Sequence, residues 1–571
     1  MKFGKMFERK FTEALDYGTS GYRTDSAIIE DMVDRAYLVC AIRSSESRRP
    51  VGLVLTASHN HERDNGIKYV DWDGSMFNEE WEEISNRTVN ATSEEIAKMV
   101  KSRKIERSCV FVGRDTRESG ERMVEKCRKA SEALGSGNVL VDLGVTTTPQ
   151  VFFLLREICS REAEKKDHLE ALNGQEEKAA KEILGVYFRR IKAYVYVVKR
   201  VFGDAARRRM VLDSSNGVGR HWFEKIRSSI APVCDVFLLK NSKNLNEECG
   251  SDYIKTKMTP PAGVEIAGGK PRITTERGVL EESTMICAFD GDADRVLYFC
   301  PEKKQVLDGD RLCLLFSSFL NHLIACAEEN FSVTSVVTAY SNGGAMKEMK
   351  TRGEVRIAGT GVKNMQKEAE KHPISVWFEN NGHGTVSFSA ETAAKLGEKI
   401  NQGRRGALLD LPEEELEEEV EKILSSAQDG LGTPVCRTSP YNDRFQRVTP
   451  QEAALFLHML SVLFNPKVGD AVVDMCVAES IFYTMFITPE ALFGMYKEMP
   501  NVLRGVPGKK AALTDVFVQS MKERYSHLRL HLRASGTEDV IRIYVEGEKQ
   551  GEIEAAASEI AKNISEISDI L

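Results

Sequence analysis

Four short apolar runs, each ending in a polar turn rich in hydroxyl and charged side chains, set the tightest limit on how this chain folds. Val51–Leu55 leads into Thr56-Ala57-Ser58-His59-Asn60, and Met285–Phe289 into Asp290-Gly291-Asp292-Ala293-Asp294-Arg295. Val376–Phe378 leads into Glu379-Asn380-Asn381-Gly382-His383-Gly384-Thr385, and Leu528–Leu532 into Arg533-Ala534-Ser535-Gly536-Thr537-Glu538-Asp539. Apolar runs this short, bounded by turn residues, read as strands rather than helices. Between them lie helix-spaced patterns. Val110–Val112, then Met123, Val124, Cys127, Ala130 and Leu134, then Val139–Leu143 give a β-α-β order that favours parallel strands covered by helices. Met210–Leu212, Val233–Leu239, Val333–Thr338 and Val355–Ala358 extend the pattern. Val540–Val545 and a helical tail from Glu552 close it.

The 571 residues predict about three to five domains. We place boundaries at 1–185, 186–302, 303–485 and 486–571, one polar turn in each. The densely charged stretches Arg161–Lys181 and Glu413–Lys422 read as solvated helix faces. No internal repeat is visible. No apolar run approaches the ~18–20 residues of a membrane span, and Met1–Phe11 lacks a signal-peptide core. Twelve scattered cysteines without a Cys-x-x-Cys pair read as reduced thiols of a cytoplasmic protein. A net charge of −8 argues against a nucleic-acid partner.

Each turn has its own chemistry. Ser58 at a strand end can carry a phosphoryl group if activated, although Ser/Asn turns also occur for purely local reasons. It is no hydrolase elbow, because the flanking glycines are missing. Asp290, Asp292 and Asp294 offer oxygen ligands that suit Mg²⁺ or Ca²⁺. An EF-hand is excluded, since Arg295 and Pro301 hold its glycine and glutamate positions. The Arg533–Thr537 turn, with Arg542, combines an anion nest with bidentate guanidinium groups. Glu379, Asn381 and His383 suit sugar hydroxyls, with a structural His383 as the alternative. Gly18-Thr19-Ser20-Gly21-Tyr22-Arg23 is a weaker phosphate cradle without a P-loop lysine, and Asp213–Gly219 reads as a structural turn.

Together and in order, from Gly18 to about Glu546, these motifs resemble the α-D-phosphohexomutase superfamily. Within it the chain is most similar to the eukaryotic branch acting on N-acetylglucosamine phosphates. The serine loop comes early and Gly113-Arg114-Asp115-Thr116-Arg117 follows it. Gly359-Thr360-Gly361-Val362-Lys363 and Val468-Gly469-Asp470-Ala471 match that branch too. His61, Asn380 and Ala534 stand where the family usually has Pro, Ala and Pro.

The resemblance implies an α/β protein of four domains around a central cleft, three with mixed sheets and a smaller C-terminal α+β domain. It implies one Mg²⁺ per site on Ser58, Asp290, Asp292 and Asp294, a phosphorylated Ser58, and a hexose 1,6-bisphosphate intermediate. Ser58, His59, Lys68 and Arg23 would be catalytic. Substrate would meet Glu379, Asn381, His383, Thr360, Gly361, Arg295, Arg533, Ser535, Gly536, Thr537 and Arg542. The implied activity is interconversion of N-acetylglucosamine 6- and 1-phosphates, feeding UDP-N-acetylglucosamine synthesis. Its partner is a small sugar phosphate, with neither nucleic acid nor membrane. The alternatives are a phosphoglucomutase or phosphomannomutase, a silent regulatory homologue, and a metal-dependent phosphatase.

Overall fold

The computed structural model describes residues 6–18, 21–161, 165, 167–282, 284–401, 408–428, 448–485, 489–534 and 540–570. Its strands fall into four principal sheets. The first holds β1 (Tyr22–Asp25), β2 (Val51–Leu55), β3 (Asp64–Val70), β4 (Ser108–Arg114) and β5 (Asn138–Val145), ordered β1-β3-β2-β4-β5. The second uses β6 (Arg208–Asp213) and β7 (Cys234–Leu238). A side sheet of β8 (Val264–Ala267), β9 (Lys270–Thr275) and β10 (Gly278–Leu280) precedes its remaining strands, β11 (Met285–Phe289), β12 (Val296–Cys300) and β13 (Gln305–Leu307). The third holds β14 (Val333–Thr338), β15 (Glu354–Ala358), β16 (Ile374–Phe378) and β17 (Gly384–Phe388), ordered β15-β14-β16-β17. The fourth is an antiparallel sheet, β18 (Asn501–Pro507), β19 (Arg529–Ala534) and β20 (Val540–Glu546), ordered β18-β20-β19.

The first three sheets share one device. In each, an interior strand pairs parallel on one side and antiparallel on the other: β2 with β4 and β3, β11 with β6 and β12, β16 with β14 and β17. In each case the antiparallel partner is the next strand in sequence, so each polar turn is a hairpin loop at the end of a central strand. β2, β11 and β16 are buried along their whole length, which explains their unbroken apolar runs. The turn 535–539 joins β19 and β20 but lies outside the described residues.

The charged stretch after Arg161 is not a uniformly solvated face. It contains a short helix, His168–Leu172, and enters the helix Glu176–Phe202, which buries Ile183, Tyr187, Ile191, Tyr194 and Val198. This helix packs against Thr148–Arg161, Phe223–Ile230, Pro450–Leu463 and Ala471–Met485, and so acts as a spine between the first three sheets. It crosses the expected 185/186 boundary without a break. The 302/303 boundary likewise falls between β12 and β13, which pair with each other. One apolar cluster runs from Val54 and Phe111 through Leu212 and Tyr298 to Val376 and Leu457. The C-terminal sheet has its own cluster, built from Ile541, Ile543, Val545, Ile553 and Ile560. No helix among the described residues is long and apolar enough to cross a membrane.

Candidate active site

The serine and aspartate loops interlock. Ser58 is fully buried in the left-handed region (φ 52°), and its amide donates to Thr56 Oγ1 at 2.9 Å. That conformation is costly for a residue with a Cβ and persists only where its surroundings impose it. Here Asn246 Nδ2 donates to the carbonyls of Ser58 and Asn60, each at 2.8 Å, and Arg117 Nη2 donates to the Asn60 carbonyl at 2.7 Å. Arg117 is itself held by the buried Asp115. A Cβ on Gly291 would lie 2.5 Å from the Ser58 carbonyl, so only glycine lets the two loops approach this closely. The Asp213–Gly219 turn supports the far side, with the Val218 amide donating to the Gly291 carbonyl at 2.9 Å.

Ser58 Oγ donates to Asp290 Oδ2 at 2.6 Å, and His59 Nδ1 lies 3.4 Å from the same hydroxyl. Lys68 Nζ bridges Asp292 Oδ2 (2.6 Å) and Asp294 Oδ2 (2.8 Å), and Thr148 Oγ1 donates to Asp292 Oδ2 at 2.6 Å. Burial pushes all three carboxyls up. Lys68 outweighs it for Asp292, and Lys68 with His383 and Arg295 outweighs it for Asp294, so both end below the usual carboxylate range. Asp290, with burial and its two acidic neighbours against it, is held well above that range.

A divalent cation fits this loop. One oxygen from each of Asp290, Asp292 and Asp294 lies within 4.8 Å of the others, and the buried Asp292 Oδ1 has no hydrogen-bond partner. Hard oxygen donors of this kind match Mg²⁺. Lys68 is raised, because its two carboxylate partners overcome its burial. It is therefore a fixed positive charge rather than a resting base. His59 is pushed far down by Arg295, then by burial and Arg23, which keeps its imidazole neutral. Arg23 is lowered by burial and by Arg295, within the field of all three aspartates.

The third loop meets the second directly. Arg295 and His383 form a backbone bridge, and Arg295 Nε lies 3.8 Å from both Asp290 Oδ2 and Asp294 Oδ1. Glu379 Oε1 accepts from the Gly361 amide at 3.3 Å, which places Thr360 and Gly361 beside it. Asn381 Nδ2 donates to Glu379 Oε2 at 3.5 Å. His383 departs from the expected sugar contact. It is buried, with Nδ1 3.3 Å from Asp294 Oδ1 and Nε2 accepting from the Gly469 amide at 3.4 Å. Both ring nitrogens face protein, Nδ1 toward Asp294 and Nε2 toward Gly469.

Arg533 and Arg542 stand directly opposite each other on β19 and β20. Like charges in that register repel unless an anion joins them, and the buried Arg533 Nε has no partner. Among the described residues no hydrogen bond or ion pair ties either arginine to the other three loops. Tyr340 lies within the field of both. Ser535, Gly536 and Thr537, like Thr19 and Ser20 of the weaker cradle, lie outside the described residues. Asn246, Thr148 and Arg117 belong to no predicted site. Their contribution comes from partners distant in sequence.

Three family models match the chain in order. They are "Phosphoglucomutase/phosphomannomutase, alpha/beta/alpha domain I" over 28–94, "Phosphoacetylglucosamine mutase AMG1, domain III" over 308–421, and "Phosphoglucomutase/phosphomannomutase, C-terminal domain" over 504–563. Phosphoacetylglucosamine mutase of Sus scrofa is 29% identical, covering 96% of this chain and 93% of its own length. That of Homo sapiens is 28% identical, covering 97% and 94%. Aspergillus fumigatus N-acetylphosphoglucosamine mutase, solved with GlcNAc-6P and magnesium, superposes with a TM-score of 0.75 at 25% identity, covering 99% and 98%. A serine-to-alanine form of that fungal protein, solved with glucose 1,6-bisphosphate, gives the same score, identity and coverage.

Proposed function

We propose, for a chain that belongs to the α-D-phosphohexomutase superfamily, that it interconverts N-acetylglucosamine 6-phosphate and N-acetylglucosamine 1-phosphate. The observation that carries this reading is the buried Ser58 hydroxyl, 2.6 Å from Asp290 in a three-carboxylate loop. A serine so placed serves as a phosphoryl carrier, as in the superfamily it belongs to.

In the forward direction the sugar's O1 hydroxyl attacks the phosphoryl group on Ser58. The bond from phosphorus to Ser58 Oγ breaks, one to O1 forms, the O1 proton ends on Ser58 Oγ, and a 1,6-bisphosphate results. After the bisphosphate reorients, Ser58 Oγ attacks the 6-phosphoryl group, the bond from phosphorus to O6 breaks and the serine proton ends on O6, which regenerates the phosphoserine and leaves the 1-phosphate. Mg²⁺ held by Asp290, Asp292, Asp294 and the phosphoserine would draw charge from the transferring group. Lys68 and Arg23 add fixed positive charge. His59, neutral and made weakly basic by Arg295 and burial, lies 3.4 Å from Ser58 Oγ and orients that oxygen rather than taking its proton. Glu379 and Asn381, with Thr360 and Gly361 beside them, hold the ring, while Arg295 lies between ring and carboxylates. Arg533 and Arg542, with Ser535, Gly536 and Thr537, take the phosphate that is not reacting. His383 keeps Asp294 aligned.

This reading divides the chain into four units, each contributing one loop, with the helix Glu176–Phe202 shared between the first two. A cytoplasmic location goes with its buried thiols, and its product is the form from which a nucleotide sugar is made.

Ser58→Ala tests the reading. Mutase activity should fall by about a thousandfold or more, and phosphoserine should vanish from the 56–60 peptide by mass spectrometry. An active wild-type enzyme with no phosphate on that peptide would refute the carrier role. Faster turnover of glucose or mannose phosphate than of the N-acetylglucosamine phosphates would point to the other branches.

A further inference from the structure

Behind the sugar-facing loop lies a second set of polar side chains that the transfer chemistry does not use. Asp310, fully buried at the start of the helix Gly309–Cys326, accepts through Oδ2 from the Asn342 amide at 2.8 Å and from Asn380 Nδ2 at 3.0 Å. The same Asn380 nitrogen reaches Asp308 Oδ2 at 3.1 Å, which Lys255 Nζ also meets at 2.7 Å. Asn342 carries the connection onward. Its Nδ2 donates to the Met499 carbonyl at 2.9 Å, and its Oδ1 accepts from the Met499 amide at 3.0 Å. The adjacent Gly343 amide donates to both oxygens of Glu546, at 3.1 and 2.9 Å, and Arg529 Nε donates to Glu546 at 2.9 Å. Arg529 and Glu546 are paired in the β19–β20 ladder that also carries Arg533 and Arg542.

We propose that Asp310 is a positioning residue for phosphoryl transfer. With Asn380 and Asn342 it forms a buried strut that fixes the span between Glu379 and the Arg533–Arg542 pair. The inference rests on the mutase reading above. One substrate must touch both ends at once, and the two ends belong to units with separate cores. A cleft of 540 Å³, lined by Lys255, Asp308, Arg311, Met499 and Asn501 among others, opens beside the strut. The polar strut sets the spacing of the two ends, because breaking it strands buried donors and acceptors.

Asn380→Ala removes a side-chain donor beside Asp310, and Asn342→Ala cuts the next link, to Met499, while the residue-342 amide still donates to Asp310. Asn380 is partly exposed, so its replacement spares the core. With N-acetylglucosamine 6-phosphate, each variant should lower kcat about tenfold and change KM less than about twofold. The binding groups stay intact while their alignment is lost. The double variant should be within about twofold of the worse single one, because both cut the same strut. Hydrogen–deuterium exchange needs no turnover, and Asn380→Ala should speed exchange at 339–344 and 499–501. Unchanged kcat, losses that multiply in the double variant, or faster exchange confined to 379–384 would overturn the strut. If the wild-type chain turns over no sugar phosphate, the mutase reading fails, and exchange alone decides the strut.

Discussion

Lys68 shows how much one side chain decides here. It is the only lysine or arginine among the described residues with hydrogen bonds to both Asp292 and Asp294, and removing one partner of a buried ion pair costs far more than the pair contributes. Lys68→Met should therefore destabilise the chain by about 3–5 kcal/mol in a chelator. Millimolar Mg²⁺ should restore part of the loss, and urea unfolding in EDTA and in Mg²⁺ would measure both. A variant that chelation affects no more than wild type would remove the cation from the account. The aspartates were legible because their ligand atoms are two residues apart in sequence. Lys68 meets Asp292 across 224 positions, Thr148 meets it across 144, and Asn246 meets Ser58 across 188. No local pattern encodes such pairs. His383 is a case of the same kind: the sequence shows an imidazole beside a sugar-type loop, but not that its two nitrogens lie beside Asp294 and Gly469.

The strands were the most legible elements. Met285–Phe289 and Val333–Thr338 coincide with β11 and β14, because a central strand buried on both faces is apolar from end to end. Their repeated hairpin device was not legible, since three sheets share a pairing pattern without sharing residues. The spine helix was half-read, its charged face seen and its buried face missed. At the start of the buried helix Ala471–Met485, Asp470 carries a prediction of its own. It accepts from Tyr187 and from the Val472 and Val473 amides, and burial raises its carboxyl to about 6. Between about pH 4 and 6 the folded chain keeps a proton that the unfolded chain has released. Stability therefore falls as pH rises through that window and levels off above it. Asp470→Asn escapes this, so its fall should be smaller than that of wild type by up to about 3 kcal/mol. Denaturant midpoints taken across pH 4–7 would show it, and parallel curves would refute it.

At the scale of the molecule, Glu546 is one joint between the C-terminal sheet and the rest: its carboxylate takes the Gly343 amide and is held by Arg529 and Tyr544 of its own sheet, beside Tyr340, which packs edge-on against His531 and Tyr544. Glu546→Ala should loosen that joint. Small-angle scattering without ligand should give a larger radius of gyration than wild type, and glucose 1,6-bisphosphate should narrow the gap. An unchanged radius would mean that apolar packing suffices. The separate cores have a consequence for unfolding as well. Two separate cores need not melt together, so the ligand-free chain should show two calorimetric transitions. A bisphosphate gripped at both ends would add its binding free energy to each unit's folding and draw the two transitions into one. Cooperativity in this chain would then be partly borrowed from its ligand.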